Sequence, residues 1–412
     1  MAADPVLASV DQEEIHPDVL VSRQAVVDAD MQVAGYRVAY ATIDEAALVG
    51  TEPSATRLFG DVLTVVGLEQ LAGPTVAHLP LSRELLMTLG IPPVGPDRVI
   101  LRLDHATALD SQLEPILAAL TARGYALAVH IRPGERLDPG LLDRFSTIEV
   151  DLPEWQPVDL RGLAALVSGR HVLALAAGLT DHDDFDRARA LGFERFTGPF
   201  ISTPRITPAR NVPVGQLTAL ASLAQLRAGP AEIEELEEVI NRDLGLSLKL
   251  LRYINSAFFG IRNDITSIRQ AVMMLGARGV TRWAMLVTLT GGPSAPPELS
   301  MLALTRARMS EILSRARDGL DPEELFTIGM LSVADALLGM PLEAIVDQLP
   351  LADEVVGALI ERSGPAGAVL DIVLTYERGN FDADSVRANH RGVARAYLGA
   401  LRWAESVLEK AG

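Results

Sequence analysis

Residues Asn241 to Gly276 read NRDLGLSLKLLRYINSAFFGIRNDITSIRQAVMMLG, and this stretch sets the class of the C-terminal half of the chain. Leu244, Leu248, Leu251 and Phe258 recur at helical spacing, with Leu250 and Ile254 widening the stripe. After a polar loop, Ser267 stands where an N-cap belongs. Ile268, Ala271, Val272 and Leu275 then share one face, and Gly276 offers a helix end. The pattern predicts two amphipathic helices joined by a loop.

Helical patterns continue outward from there. Val280, Trp283, Ala284 and Val287 form another face, and the acidic run AEIEELEEVI keeps Ile233, Leu236 and Ile240 on one side, which makes its glutamates a solvated face. From Val214 to the C-terminus no strand pattern occurs, and the run is broken by GGPSAPPE at 291–298. Upstream the period changes. Val33–Tyr40, Thr75–Leu79, Val99–Leu103, Ala126–Ile131, Thr147–Asp151, Val172–Ala176 and Glu194–Thr197 read as strands. Pro53–Leu71, Ser82–Leu89, Ser111–Arg123 and Asp181–Leu191 read as helices between them. A repeat of roughly 25 residues is that of βα units on a parallel sheet, either closed as a TIM-like barrel or open and doubly wound. The expected organisation is α/β followed by all-α: a loose, disordered tail at 1–18, an α/β domain at 19–203, a proline-bearing linker at 204–213 and a helical domain at 214–412.

Composition narrows the function classes. The 412 residues carry a formal charge of −18, which argues against a nucleic-acid partner, since such a partner requires a basic surface. With no cysteine, disulfides, thiolate metal sites and cysteine nucleophiles are excluded. No apolar run approaches the roughly 20 residues that span a bilayer, and the N-terminus lacks the basic-then-apolar order of a signal peptide, so a cytoplasmic protein without a membrane partner is expected. The only lysines are Lys249 and Lys410, and the first asparagine is Asn211. Neither lysine sits in a phosphate-loop setting, and no GxGxxG occurs.

The string LLRYINSAFFG…ITSIRQAVMMLG resembles the HDOD domain, a helical domain of bacterial signalling proteins related to HD-type phosphohydrolases. The opening VSRQAVVDADMQVAGYRVAYA resembles the start of EAL domains as found in EAL–HDOD tandem proteins. GYALAVHIRPGERLDPGLLDRFSTIEVDL and LAAGLTDHDDFDRARALGFERFTGPFIS look like later parts of the same domain, and the C-terminal run through LFTIGMLSVADALLGMPLEAIVDQLPL resembles the end of the tandem family. The resemblance implies a TIM-like barrel, which in active EAL domains hydrolyses cyclic di-GMP with two Mg²⁺ or Mn²⁺ ions, followed by a helical HDOD domain.

The resemblance also implies that the functional letters are replaced. The family's signature glutamate falls on Arg37, its metal-binding asparagine near His78, and the glutamates of the next strand on Arg102 and His105. The paired aspartates fall on His130 and Ile131. The catalytic lysine falls on Glu149, while the aspartate that follows it is kept as Asp151. The late glutamates fall on Ala176 and Leu179, and a glutamine before the closing glycine on Thr197. Because the first 210 residues contain no asparagine and the first 248 no lysine, no shift of register restores those two groups. Two-metal hydrolysis needs carboxylate oxygens around each hard cation, and arginines at ligand positions repel one. In the helical half, active HD relatives read like GLLHD where this chain reads GMLSV at Gly329–Val333. Its sole histidine there is His390, too few for an HD metal site.

The candidate ligand-binding residues are therefore Arg37, His78, Arg102, His105, His130, Glu149 and Asp151, at the mouth of a degenerate barrel. The arginines are candidates for ion pairs with Glu149 or Asp104, or for contacts to an anionic nucleotide. The three histidines either fill a retired cavity or hold Zn²⁺ as three imidazoles. Phe258 and Phe259 are candidate interface anchors, with the helical core as the alternative. The expected function is a non-enzymatic signalling scaffold or adaptor acting by protein contact. It has no cofactor and no catalytic residue, its protein partner is unknown, a homo-oligomer is compatible with it, and cyclic di-GMP is bound weakly or not at all. The alternatives are a cyclic di-GMP sensor that binds without hydrolysis, and a hydrolase with a histidine-based metal site.

Overall fold

A computed structural model of the chain describes residues 19–42, 60, 63, 66–136, 142–167, 169–205, 214–228, 233–241, 246–248, 251, 265–290 and 296–411. The segment 1–18, linker residues 206–213, and Phe258 and Phe259 lie outside the described residues. The chain divides into two compact units. One holds residues 15–203 with 375–394, and the other holds 204–374 with the two chain ends.

The first unit is a closed eight-stranded barrel with strands in sequence order: β1 (Val19–Val27), β2 (Val33–Thr42), β3 (Val76–Pro80), β4 (Val99–Asp104), β5 (Ala126–His130), β6 (Thr147–Asp151), β7 (Leu173–Ala177) and β8 (Arg195–Phe196). The sheet is closed rather than open. β1 runs antiparallel to both β2 and β8, while every other pairing is parallel. Helices α1 (Leu68–Ala72), α2 (Arg83–Leu89), α3 (Glu114–Ala122), α4 (Pro157–Val167) and α5 (His182–Ala190) make crossovers or parts of them. Their caps follow local chemistry: Ser82 Oγ accepts from Leu85 N, and the Asp181 carboxylate from Asp184 N. Burial is deep in β6, where only Asp151 keeps some exposure.

β1 is absent from the strands expected from sequence, because Ser22, Arg23 and Gln24 interrupt its apolar run. Ser22 and Arg23 are nevertheless buried. The Arg23 guanidinium donates to the Gln70 carbonyl at 2.9 Å and lies 4.2 Å over the Tyr36 ring. Residues 375–394, expected in the helical domain, belong to the barrel's unit instead. β1 pairs with β8 only at Val27, so the first part of its edge needs other partners. The fully buried Tyr376 supplies one: its hydroxyl accepts from Val21 N at 3.1 Å. Gln24 Nε2 donates to the Arg378 carbonyl at 3.3 Å.

The helical unit contains α6 (Val214–Ala228), α7 (Ile233–Asn241), α8 (Ile268–Thr290), α9 (Pro297–Ser314) and α10 (Pro322–Leu331), then further helices, and ends in α11 (His390–Ala411), of which residues from 395 belong here. Ser267 caps α8, its hydroxyl accepting from Gln270 N at 3.2 Å. Ile268, Ala271 and Val272 are buried, and α8 breaks at Gly276, where φ is 77°. Leu248, expected on an apolar stripe, is 53% exposed, while Leu246 is buried. Leu236 and Ile240 of α7 face the core, and Glu234 and Glu237 pair with Arg269 at 2.8 and 3.2 Å. Gly329 sits where α10 crosses α9 so closely that a Cβ there would stand 2.4 Å from the Arg306 carbonyl oxygen. A glycine is required at that crossing.

Candidate functional site

The strands of the barrel bring Arg37, His78, Arg102, His130, Glu149 and Asp151 to one region. Arg37 on β2 is in register with His78 on β3, and His130 on β5 with Glu149 on β6. Glu149 is the centre. It is fully buried, and Arg102 grips it with two bonds, Nε to Oε2 and Nη2 to Oε1, both 2.7 Å. Arg37 Nη2 adds a third contact at 2.9 Å from Oε1, and its Nη1 lies 3.7 Å from Asp151 Oδ1. His130 Nε2 stands 3.1 Å from Asp151 Oδ2, within ion-pair range but off the hydrogen-bonding direction.

Electrostatics follow from this packing. Burial would push the Glu149 carboxyl up, but the charges of Arg102 and Arg37 and the Arg102 hydrogen bonds outweigh it and hold the group below the usual range. Asp151 is held low by the His130 contact, against partial burial and with help from Arg37. Burial lowers Arg37 from its ordinary value, opposed by Glu149. Burial also pushes His78 down to about 4, with Glu149 opposing and Arg102, Arg37 and Arg195 adding to the shift, so the imidazole is neutral at pH 7. His78 Nδ1 and Thr197 Oγ1 are buried without a hydrogen-bond partner.

Two expectations are corrected. His105 stands apart from the ion-pair centre: its Nε2 is 2.9 Å from the Arg136 carbonyl, and its Nδ1 is 3.9 Å from Glu135. Asp104 pairs with neither arginine, because its carboxylate accepts from Thr107 N at 2.7 Å and caps the turn that follows β4. Among the described residues no group of three or more His, Asp or Glu is placed to hold a metal ion, so His78, His105 and His130 do not form a three-imidazole centre. Sequence reasoning missed Arg195, whose charge reaches His78, and Tyr40, whose hydroxyl donates to the Pro80 carbonyl at 2.6 Å. No local motif marks either residue. A separate cleft of about 590 Å³ lies at the opposite ends of β7 and β8, lined by Arg161, Arg170 and Glu194, and contains none of the site residues.

After the barrel in sequence, residues 216–339 match the HDOD domain family. The chain joins an EAL-like barrel to an HDOD domain. This EAL–HDOD chain is 28% identical to the cyclic di-GMP phosphodiesterase CdgJ of Vibrio cholerae over 94% of its own length and 92% of that protein. It is 26% identical to YuxH of Bacillus subtilis over 95% of its own length and 99% of that protein. Among solved structures it resembles the EAL-domain protein YkuI of Bacillus subtilis in complex with c-di-GMP and calcium, at 15% identity and a TM-score of 0.38, covering 64% of this chain and 74% of that one. Along nearly its whole length the chain is thus similar to a cyclic di-GMP phosphodiesterase. Among the described residues no helix is long and apolar enough to cross a membrane.

Proposed function

We propose that this EAL–HDOD protein is a non-enzymatic signalling adaptor that acts by protein contact, its barrel mouth closed by its own side chains. The observation that carries this reading is the clamp of Arg102 and Arg37 on the buried Glu149. Both guanidiniums that could grip a phosphate are committed to a carboxylate. Drawing Arg102 away would leave the buried Glu149 with the single Arg37 contact, a cost of up to about 3–5 kcal/mol that an incoming nucleotide must exceed. Glu149 and Asp151 face cations from the protein, not an open coordination site, and two-metal hydrolysis needs several free carboxylate oxygens.

A second reading, a sensor that binds cyclic di-GMP without cutting it, is favoured by the unsatisfied His78 Nδ1 and Thr197 Oγ1, which a ligand or water could engage. A histidine-based hydrolase gains no support from the placement of the three imidazoles. The test pairs a cyclic di-GMP hydrolysis assay in Mg²⁺ or Mn²⁺ with calorimetry. No turnover and no saturable heat are expected. Metal-dependent turnover that survives repurification and is lost in a His105→Ala, His130→Ala variant would overturn the non-enzymatic reading. Binding without turnover, weakened in Arg37→Ala, would replace the adaptor with the sensor. Capture of a protein partner from the native host should follow the full-length chain.

A further inference from the structure

The helical unit holds a second arginine–glutamate cluster, which the reading above does not use. Its centre is Glu311 on α9, with a side chain only 3% exposed. Arg308 Nη1 donates to Glu311 Oε2 at 2.7 Å, while Arg282 Nη1 from α8 and Arg315 Nη2 from the end of α9 each approach Oε1 at 3.2 Å. Two aromatic rings back the cations. Arg282 lies 4.6 Å over Phe326 of α10, Arg308 lies 5.8 Å over Trp403 of α11, and the two rings meet edge to face at 6.0 Å.

The cluster is out of balance. Among the described residues, Glu311 is the carboxylate paired with all three guanidiniums, which leaves three cations facing one anion. Its unsatisfied atoms agree in kind. Arg308 Nε and Trp403 Nε1 are buried without a partner, and both groups can only donate. What the cluster lacks is an acceptor carrying negative charge. Arg308 is buried, but the Arg282 and Arg315 side chains keep 18% and 38% of their exposure, so an anion can reach the cluster from their side.

We propose that Arg282, Arg308 and Arg315, backed by Phe326 and Trp403, form a binding site for a phosphate-class oxyanion, either inorganic phosphate or the terminal group of a phosphomonoester. A surplus of two positive charges matches a phosphate carrying about −1.5 to −2 at neutral pH, and guanidinium forks suit its oxygens. Glu311 holds the three arginines in place, and the bound anion supplies the missing acceptors.

The test uses the full chain in phosphate-free buffer, with sodium chloride adjusted to keep ionic strength constant while inorganic phosphate is titrated by calorimetry and by thermal melt. Saturable binding to one site is expected, with a melt that rises as the site fills. Arg282→Gln and Arg315→Gln should each weaken phosphate binding by about tenfold or more. Arg315→Gln should fold and melt as wild type without phosphate, so it carries the test alone if Arg282→Gln proves unstable. Ribose 5-phosphate in place of phosphate separates the sources: tighter binding assigns a phosphomonoester, and equal or weaker binding assigns the free ion. No saturable heat, the same response to chloride alone, or unchanged affinity in Arg315→Gln would each overturn the site and leave the cluster as a structural clamp or a water-filled one.

Discussion

The barrel and the helical unit each bury a glutamate among arginines, and the two clusters differ in sum. In the barrel, Arg37 and Arg102 pair with Glu149 and Asp151, two guanidiniums for two carboxylates, with His130 beside Asp151 and His78 kept neutral by burial. In the helical unit a single Glu311 faces three arginines. A balanced buried network satisfies itself and has little to offer a charged ligand, whereas a surplus of donors of one sign invites a counter-ion. On the two proposals above, the barrel holds the closed site and the helical unit, which contains the HDOD match, the open one.

The largest test of this contrast removes one guanidinium from the balanced cluster. Arg102→Met leaves the buried Glu149 with Arg37 alone and should cost about 3–5 kcal/mol in denaturant unfolding. Adding Glu149→Leu should recover much of that loss, because the stranded charge is gone. A double variant no more stable than Arg102→Met would show that the pair is not a self-contained balance.

The next effect is one of pH. His78 titrates at about 4 in the folded barrel against about 6.5 for a free imidazole. The unfolded chain therefore binds the proton more readily. This contribution is complete above about pH 6.5 and is lost as the pH falls toward 4, a difference of about 3 kcal/mol. Glu149, held low when folded, adds a loss of the same sign at lower pH. Comparing His78→Gln with wild type across pH 7 to about 4 should show a flatter stability profile for the variant. Identical slopes would mean that His78 is not kept neutral by burial.

A smaller effect is expected at the barrel's edge. Tyr376→Phe removes the acceptor of the Val21 amide and should cost about 1–3 kcal/mol. An unchanged melt would show that residues 375–394 do not support β1. The smallest effect lies in the surplus cluster. Arg315→Gln, half-exposed and one of three cations, should change stability by less than about 1 kcal/mol in either direction. A loss comparable to that in Arg102→Met would break the contrast between the two clusters.

Much of this was legible in the chain of letters. Period-two runs bounded by helical stripes located β2 to β8 to within a residue or two, and Ser267 announced the start of α8, because side-chain periodicity and capping are local properties. The family resemblance named the residues at its key positions, and the lack of an asparagine or a lysine showed that no shift of register restores those two groups; of the named residues, Arg37, His78, Arg102, His130, Glu149 and Asp151 come together, while His105 bonds elsewhere. Other features depended on distance in space. β1 was hidden because its polar Ser22 and Arg23 are buried by partners far along the chain. Closure of the sheet depends on an antiparallel first strand meeting β8, and the support of β1 by Tyr376 spans 355 positions in sequence. Sequence alone determined which groups the chain possesses and which it lacks. Only the tertiary structure decided their pairing, two arginines on Glu149 and three on Glu311, since a salt bridge depends on angstroms between side chains that strand register and helix crossing bring together.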